Sequence, residues 1–119
     1  MQILVVDDLK SELDLISEYL TSNGYGVIRA ENGKEALAKI SESKPDLIVT
    51  DWMMPEMGGL DMCRQLKKNP NTAHIPVIAC TAKDQPVDRL WANKQGVKAY
   101  LVKPCSKDEL IDAVKTALL

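Results

Sequence analysis

The chain has 119 residues, of which 45% are hydrophobic and 27% charged, and a formal net charge of −2. That is the length and composition of one globular domain, here residues 1–119, able to bury a core without disulfides or structural metal. It excludes a strongly basic nucleic-acid-binding or membrane-attracted surface, so neither direct nucleic-acid binding nor membrane insertion is expected.

Apolar runs alternate with helical patterns five times along the chain. A strand near 2–6 is followed by a helix near 9–22, whose face is Leu13, Ile16, Tyr19 and Leu20. A second strand near 26–30 leads to a helix near 33–43, with Ala36, Leu37 and Ile40 on one face and Asn32 and Glu35 spaced as a capping box. The third strand, near 46–50, is apolar through Leu47-Ile48-Val49, as a strand covered on both faces should be. A helix near 59–68 and a strand near 75–80 come next. The fourth helix is expected near 85–95, capped by Asp84, with Pro86 in its first turn and Gly96 at its end. A fifth strand near 98–102 precedes a helix near 107–118, opened by Ser106 and Glu109 and apolar at Leu110, Ile111, Val114, Ala117 and Leu118. Such alternation implies parallel strands joined by right-handed crossovers.

Other signals are quieter. Cys63, Cys80 and Cys105 are odd in number, widely spaced and free of any C-x-x-C pattern, so reduced thiols are expected rather than a disulfide framework or zinc site. No basic leader, long apolar run or cleavage site is visible, and a cytoplasmic location is expected. His74 lies in a polar, Pro-flanked connection and is expected at the surface.

The chemistry collects at the strand ends. Asp7 and Asp8 follow the first apolar run, Asp51 the third, Thr81 the fourth and Lys103 the fifth. Singly, each has a plain structural explanation as a cap, a turn residue or a solvated charge. Jointly, they fall along one edge of one parallel sheet, where ligands of open α/β folds bind. Clustered carboxylates repel one another, and a hard divalent cation relieves that repulsion. A carboxylate can accept a phosphoryl group, with metal and lysine neutralising its charge.

The residues I-L-V-V-D-D at 3–8, D-W-M-M-P-E-M-G-G at 51–59, T-A at 81–82 and Y-L-V-K-P at 100–104 together resemble the receiver domain of two-component response regulators, of the single-domain chemotaxis type. The resemblance spans the chain. It implies a flavodoxin-like three-layer α/β/α sandwich with a five-stranded parallel sheet in the order 2-1-3-4-5 and five helices. It implies Asp51 as phosphoacceptor and Mg²⁺, with Mn²⁺ as substitute, held by Asp8, Asp51, the Met53 backbone carbonyl and, through water, Asp7. Lys103 would contact the phosphoryl group, and Lys103-Pro104 would be cis. Thr81 and Tyr100 match a switch pair. Partners would be a histidine kinase or histidine phosphotransfer domain and a downstream protein, met at an output surface containing Trp91, Lys94 and Tyr100. The chain would be no conventional enzyme, and a monomer or a weak phosphorylation-dependent dimer.

Two departures bear on hydrolysis. Met53 and Lys83 stand where the chemotaxis regulator of enteric bacteria has Asn and Glu, overlooking the path of attacking water, and Met orients water poorly. They are the expected tuning positions for dephosphorylation. Gly58 replaces an Asp common before Gly59, with an effect expected only in the loop. The stretch from Asp84 to Gly96, D-R-x-W then Q-G, resembles regulators of type IV pilus motility. Trp91 fits a packing residue or a partner anchor equally; Trp52 is expected as a loop residue beside the site. The alternatives are a phosphorylation-independent docking receiver or a receiver fragment of a larger regulator. A phosphohydrolase would carry D-x-D after its first strand, and a flavin module a phosphate-cradling loop that Asp7 and Asp8 would repel.

Overall fold

A computed structural model describes residues 1–54, 56–82 and 84–119. Strands β1 (Gln2–Val6), β2 (Gly26–Ala30), β3 (Leu47–Thr50), β4 (Val77–Thr81) and β5 (Ala99–Val102) alternate with helices α1 (Lys10–Thr21), α2 (Gly33–Glu42), α3 (Gly59–Lys68), α4 (Pro86–Lys94) and α5 (Lys107–Ala117). All strand pairs are parallel, in the order β2-β1-β3-β4-β5. This is the expected flavodoxin-like arrangement.

The period-2 alternation of each strand sorts its side chains into two cores. Leu4, Val6, Ile48, Val77 and Ala79 pack with Ala36 and Ile40 of α2, Met62 and Leu66 of α3, and Ala92 of α4. Ile3, Val5, Leu47, Val49, Ile78 and Cys80 pack with Leu13, Ile16 and Leu20 of α1 and Leu110, Ile111 and Val114 of α5. The helices are not equally anchored. α1 and α3 each bury four residues and α2 and α5 three, but α4 buries Ala92 alone.

Local signals mostly hold. Asn32 accepts from the Glu35 N–H at 2.7 Å, although the Glu35 carboxylate reaches back to Glu31 rather than to Asn32. Ser106 and Glu109 form the full reciprocal capping box. Gly96 follows α4 in the left-handed region, φ +76°. His74 is exposed. Two expectations shift. The fourth strand begins at Val77 rather than at 75, because the Ile75 N–H is held in a turn by the Thr72 carbonyl at 3.1 Å and Pro76 has no N–H for the ladder. At the other end the strand runs one residue further than expected: Thr81 still pairs with Val102 and is the last strand residue rather than the first beyond it. The cap of α4 is Gln85, without a side-chain bond; Asp84 instead pairs with Arg89 at 2.8 Å. Among the described residues, no helix is long and apolar enough to cross a membrane.

Ile48, on the central strand, is fully buried between the neighbouring strands and α2–α3. Ile48→Ala should lower the unfolding free energy by about 2–5 kcal/mol in urea titrations, whereas exposed His74→Ala should stay within about 0.5 kcal/mol of the parent. Equal, small effects would mean that the sheet centre is not the stabilising core.

Candidate functional site

The sheet ladder continues one residue beyond three strand ends, and those bonds position the site. The Asp51 N–H donates to the Val6 carbonyl at 2.9 Å, the Asp7 N–H to Ala30 at 3.1 Å and the Lys103 N–H to Thr81 at 2.9 Å. The paired neighbours Val6 and Thr50 thus carry Asp7 and Asp51 out side by side. Each carboxylate is then oriented locally. Asp7 Oδ1 accepts from the Leu9 N–H at 3.0 Å and Asp51 Oδ1 from the Met53 N–H at 3.2 Å. Gly59 lets α3 start against this loop: a Cβ there would lie 2.6 Å from the Asp51 carbonyl oxygen and 2.7 Å from the Trp52 ring.

Lys103 arrives from β5 and the cis Lys103-Pro104 bond. Its Nζ donates to Asp7 Oδ2 at 2.5 Å and to Asp51 Oδ2 at 3.0 Å. Asp7 and Asp51 are buried, whereas Asp8 is exposed and makes no hydrogen bond or ion pair among the described residues. One oxygen from each of the three carboxylates falls within a mutual span of 4.8 Å.

Burial pushes the Asp7 carboxyl above its ordinary value, outweighing the Lys103 and Leu9 hydrogen bonds that pull it down. For Lys103 the balance runs the other way. Burial pulls the ammonium down, but its bonds to Asp7 and Asp51 and their charges carry it above the ordinary lysine value. The ammonium is therefore secure at neutral pH. Three carboxylates against one ammonium leave two formal negative charges, presented as hard oxygen donors with Asp8 open to water. That donor set suits Mg²⁺, which keeps several waters and needs only one or two carboxylates.

Thr81 is buried at the end of β4, across the register from Val102. Tyr100 is half-buried on β5, with the Arg89 guanidinium 4.9 Å from its ring centroid; burial raises its hydroxyl above the ordinary value. Trp91 is 40% exposed on α4, flanked by Lys94 Nζ at 4.9 Å and the Arg64 guanidinium at 5.9 Å. It is thus a surface residue clamped by cations rather than a packing residue. Met53 turns its side chain outward, 57% exposed. Lys83, the other position expected to tune dephosphorylation, lies outside the described residues. Trp52 sits in the loop beside the site, as expected, and is in addition buried, 6% exposed and part of the core under α3. Two further features were not legible in the sequence: Arg89 bridging Asp84 and Tyr100, and the approach of Cys80 to Cys105.

The raised Asp7 carboxyl has a defined sign. The folded chain holds this proton more tightly than the unfolded chain, so Asp7's contribution to stability falls as pH climbs from its ordinary 3.8 through the raised value, and is level above it. Asp7→Asn should therefore raise the urea midpoint at pH 7 in the presence of EDTA, with a gain that shrinks as the pH falls through the raised value and is lost once it is below the ordinary 3.8. A variant less stable than the parent at pH 7 would show that the Lys103 pair outweighs desolvation.

With this geometry in view, a family model described as the response regulator receiver domain matches residues 3–115. Protein PilH of Pseudomonas aeruginosa is 38% identical over 117 residues, covering 98% of this chain and 97% of PilH. The alkaline phosphatase synthesis transcriptional regulatory protein PhoP of Bacillus subtilis is 40% identical over 117 residues, covering 98% of this chain but 48% of PhoP. The chain thus spans nearly all of one curated relative and about half of the other. Among solved structures, the Vibrio cholerae chemotaxis protein CheY4 superposes with a TM-score of 0.92 at 29% identity, covering 98% of each chain. On the family match and the PilH likeness, the chain belongs to the response regulator receiver domain family.

Proposed function

We propose that this chain is the phosphoacceptor of a cytoplasmic two-component phosphorelay, with Asp51 as the acceptor. The observation that carries the reading is the Asp51 carboxylate held 3.0 Å from Lys103 Nζ within a tri-carboxylate cluster. A carboxylate oxygen of Asp51 attacks the phosphorus of a phosphohistidine on a histidine kinase or phosphotransfer domain. The P–N bond breaks, the imidazole leaves with the electron pair, and an aspartyl phosphate forms. Lys103 meets the incoming phosphoryl oxygens and lessens their repulsion by the carboxylates. Asp8, Asp51 and the Met53 carbonyl, with Asp7 through water, would hold Mg²⁺ or Mn²⁺, which would supply charge neutralisation at the phosphoryl group. Hydrolysis then resets the chain, at a rate tuned by Met53 and Lys83. The chain is a switch rather than a conventional enzyme.

The signal leaves through α4 and β5. Thr81 turns its hydroxyl to the phosphoryl group, the Tyr100 ring moves inward, and the surface around Trp91 and Lys94 is reshaped for a protein target. The thin anchoring of α4, with Ala92 as its one buried residue, supports this route, because weakly packed elements reposition at least cost. The full-length likeness to PilH, together with the D-R-x-W and Q-G pattern, favours a role in type IV pilus motility. The relation to PhoP leaves room for a receiver that is part of a longer regulator.

Asp51 should become labelled by a phosphohistidine donor or a small acyl phosphate, only with Mg²⁺ or Mn²⁺ present. Asp51→Asn should abolish labelling while circular dichroism shows a retained fold. Full, stable labelling of the variant at the parent rate would overturn the assignment.

Shifting a two-state equilibrium from 1:99 to 99:1 needs roughly 5.5 kcal/mol. One hydrogen bond from Thr81 to a charged group supplies about 1.5–3 kcal/mol. Thr81→Ala should therefore weaken the response without preventing phosphorylation. In backbone NMR with beryllofluoride and Mg²⁺, shift changes between residues 84 and 105 should shrink but persist. Parent spectra that change only around Asp51 would refute the route through α4 and β5.

A further inference from the structure

A second pair of reactive groups lies on the α1/α5 side of the sheet, unused by the phosphoryl chemistry. Cys80 is the penultimate residue of β4, and Cys105 follows Pro104 after β5. Because β4 and β5 run side by side, the chain leaving β5 brings Cys105 against Cys80, with the sulfurs 3.5 Å apart. A disulfide has an S–S distance of about 2.05 Å, so about 1.5 Å of travel, shared by two side chains, would close the bond. Cys80 is buried and Cys105 half-buried. Both line a cavity of about 30 Å³, walled by Leu15, Ile16 and Tyr19 of α1 and by Lys103 and Pro104. That space admits a molecule of about the size of water or hydrogen peroxide.

The pair is chemically unequal. The hydrogen bond between the thiols holds Cys105 below its ordinary value and, together with burial, pushes Cys80 up. Cys105, half-buried, is the thiol that meets solvent, and the buried Cys80 lies beside it within reach. Cys63 is different. Burial pushes it up to about 12, and it packs in the opposite core layer, beneath α3.

We propose that Cys80 and Cys105 form an oxidisable dithiol site that a hydroperoxide closes into an intramolecular disulfide. The Cys105 thiolate attacks the terminal peroxide oxygen. The O–O bond breaks, the departing alkoxide or hydroxide takes up a proton, and Cys105 becomes a sulfenic acid. The Cys80 sulfur then attacks the Cys105 sulfur, the S–O bond breaks, and water leaves with the thiol proton. In sum, two thiols and one hydroperoxide give one disulfide, one alcohol or water, and one water. The bond ties the residue before Thr81 to the residue two beyond Lys103. It thereby tethers the two backbone segments that bring the hydroxyl and the ammonium to the site.

The test exposes the fully reduced full chain to a few equivalents of hydrogen peroxide, alkylates free thiols after denaturation, and maps peptides by mass spectrometry. The expected product is a monomer lighter by two hydrogens before alkylation, which then takes up one alkyl group, at Cys63, and yields the Cys80 and Cys105 peptides joined. Loss of the Cys105 thiol should outpace loss of the Cys63 thiol by about tenfold or more. Cys105→Ser should remove the linked product, and Cys63→Ala should retain it. Unchanged mass in the parent, oxygen added at Cys105 without linkage, or a bond between two chains would each overturn the proposal.

Discussion

Five strands running in one direction, each hydrogen-bonded to its neighbours and covered on both faces, impose the constraint from which the rest follows. A parallel sheet must return each connection across a face, so all carboxyl ends share one edge. The ladder bonds from Asp51 to Val6 and from Lys103 to Thr81 extend that order one residue past the strands. The site groups therefore inherit their positions from the buried sheet rather than from the loops they open. Met53 can turn outward while Asp51, two residues earlier, is held by its ladder bond to Val6.

Electrostatics at this edge are deliberately unbalanced in effect, if not in origin. Burial disfavours the Asp7 charge, and Lys103 offsets only part of that cost. Replacing the cluster with neutral residues would relieve repulsion and remove the attraction for a cation at the same stroke. Function and stability pull against each other here, as is common where charge is concentrated for binding. The same Lys103 that joins Asp7 to Asp51 also lines the cavity of the thiol pair, so the phosphoryl-transfer reading and the dithiol lie on opposite sides of one residue.

The face around α4 differs in character from the other helices. Its surface is held by polar and cation–ring contacts: Arg89 joins Asp84 to the Tyr100 ring, and Arg64 and Lys94 flank Trp91. Such contacts are individually weak at exposed positions and can exchange partners without opening a core. Helix α3, on the same face of the sheet and touching α4 through Arg64 and Trp91, is by contrast anchored by a buried apolar stripe.

Much of this was legible in the residue order. Alternating periods of apolar residues determined the element sequence, and the apolar β3 run marked a strand covered on both faces. Capping chemistry at Asn32 and Ser106 set helix starts, because those bonds are made within a few residues. The strand-end residues Asp7, Asp8, Asp51, Thr81 and Lys103 could be selected because parallel strands make chain position equivalent to position on an edge. What only the tertiary structure decided were matters of approach between distant residues. Asp84 left its capping role for Arg89, the Trp52 ring entered the core while Trp91 stayed outside, and Cys80 met Cys105 across 25 positions. Spacing along a chain encodes local hydrogen bonds and periodic faces. It does not encode which side chains meet once the crossovers have folded back, and those meetings are fixed by strand order and packing.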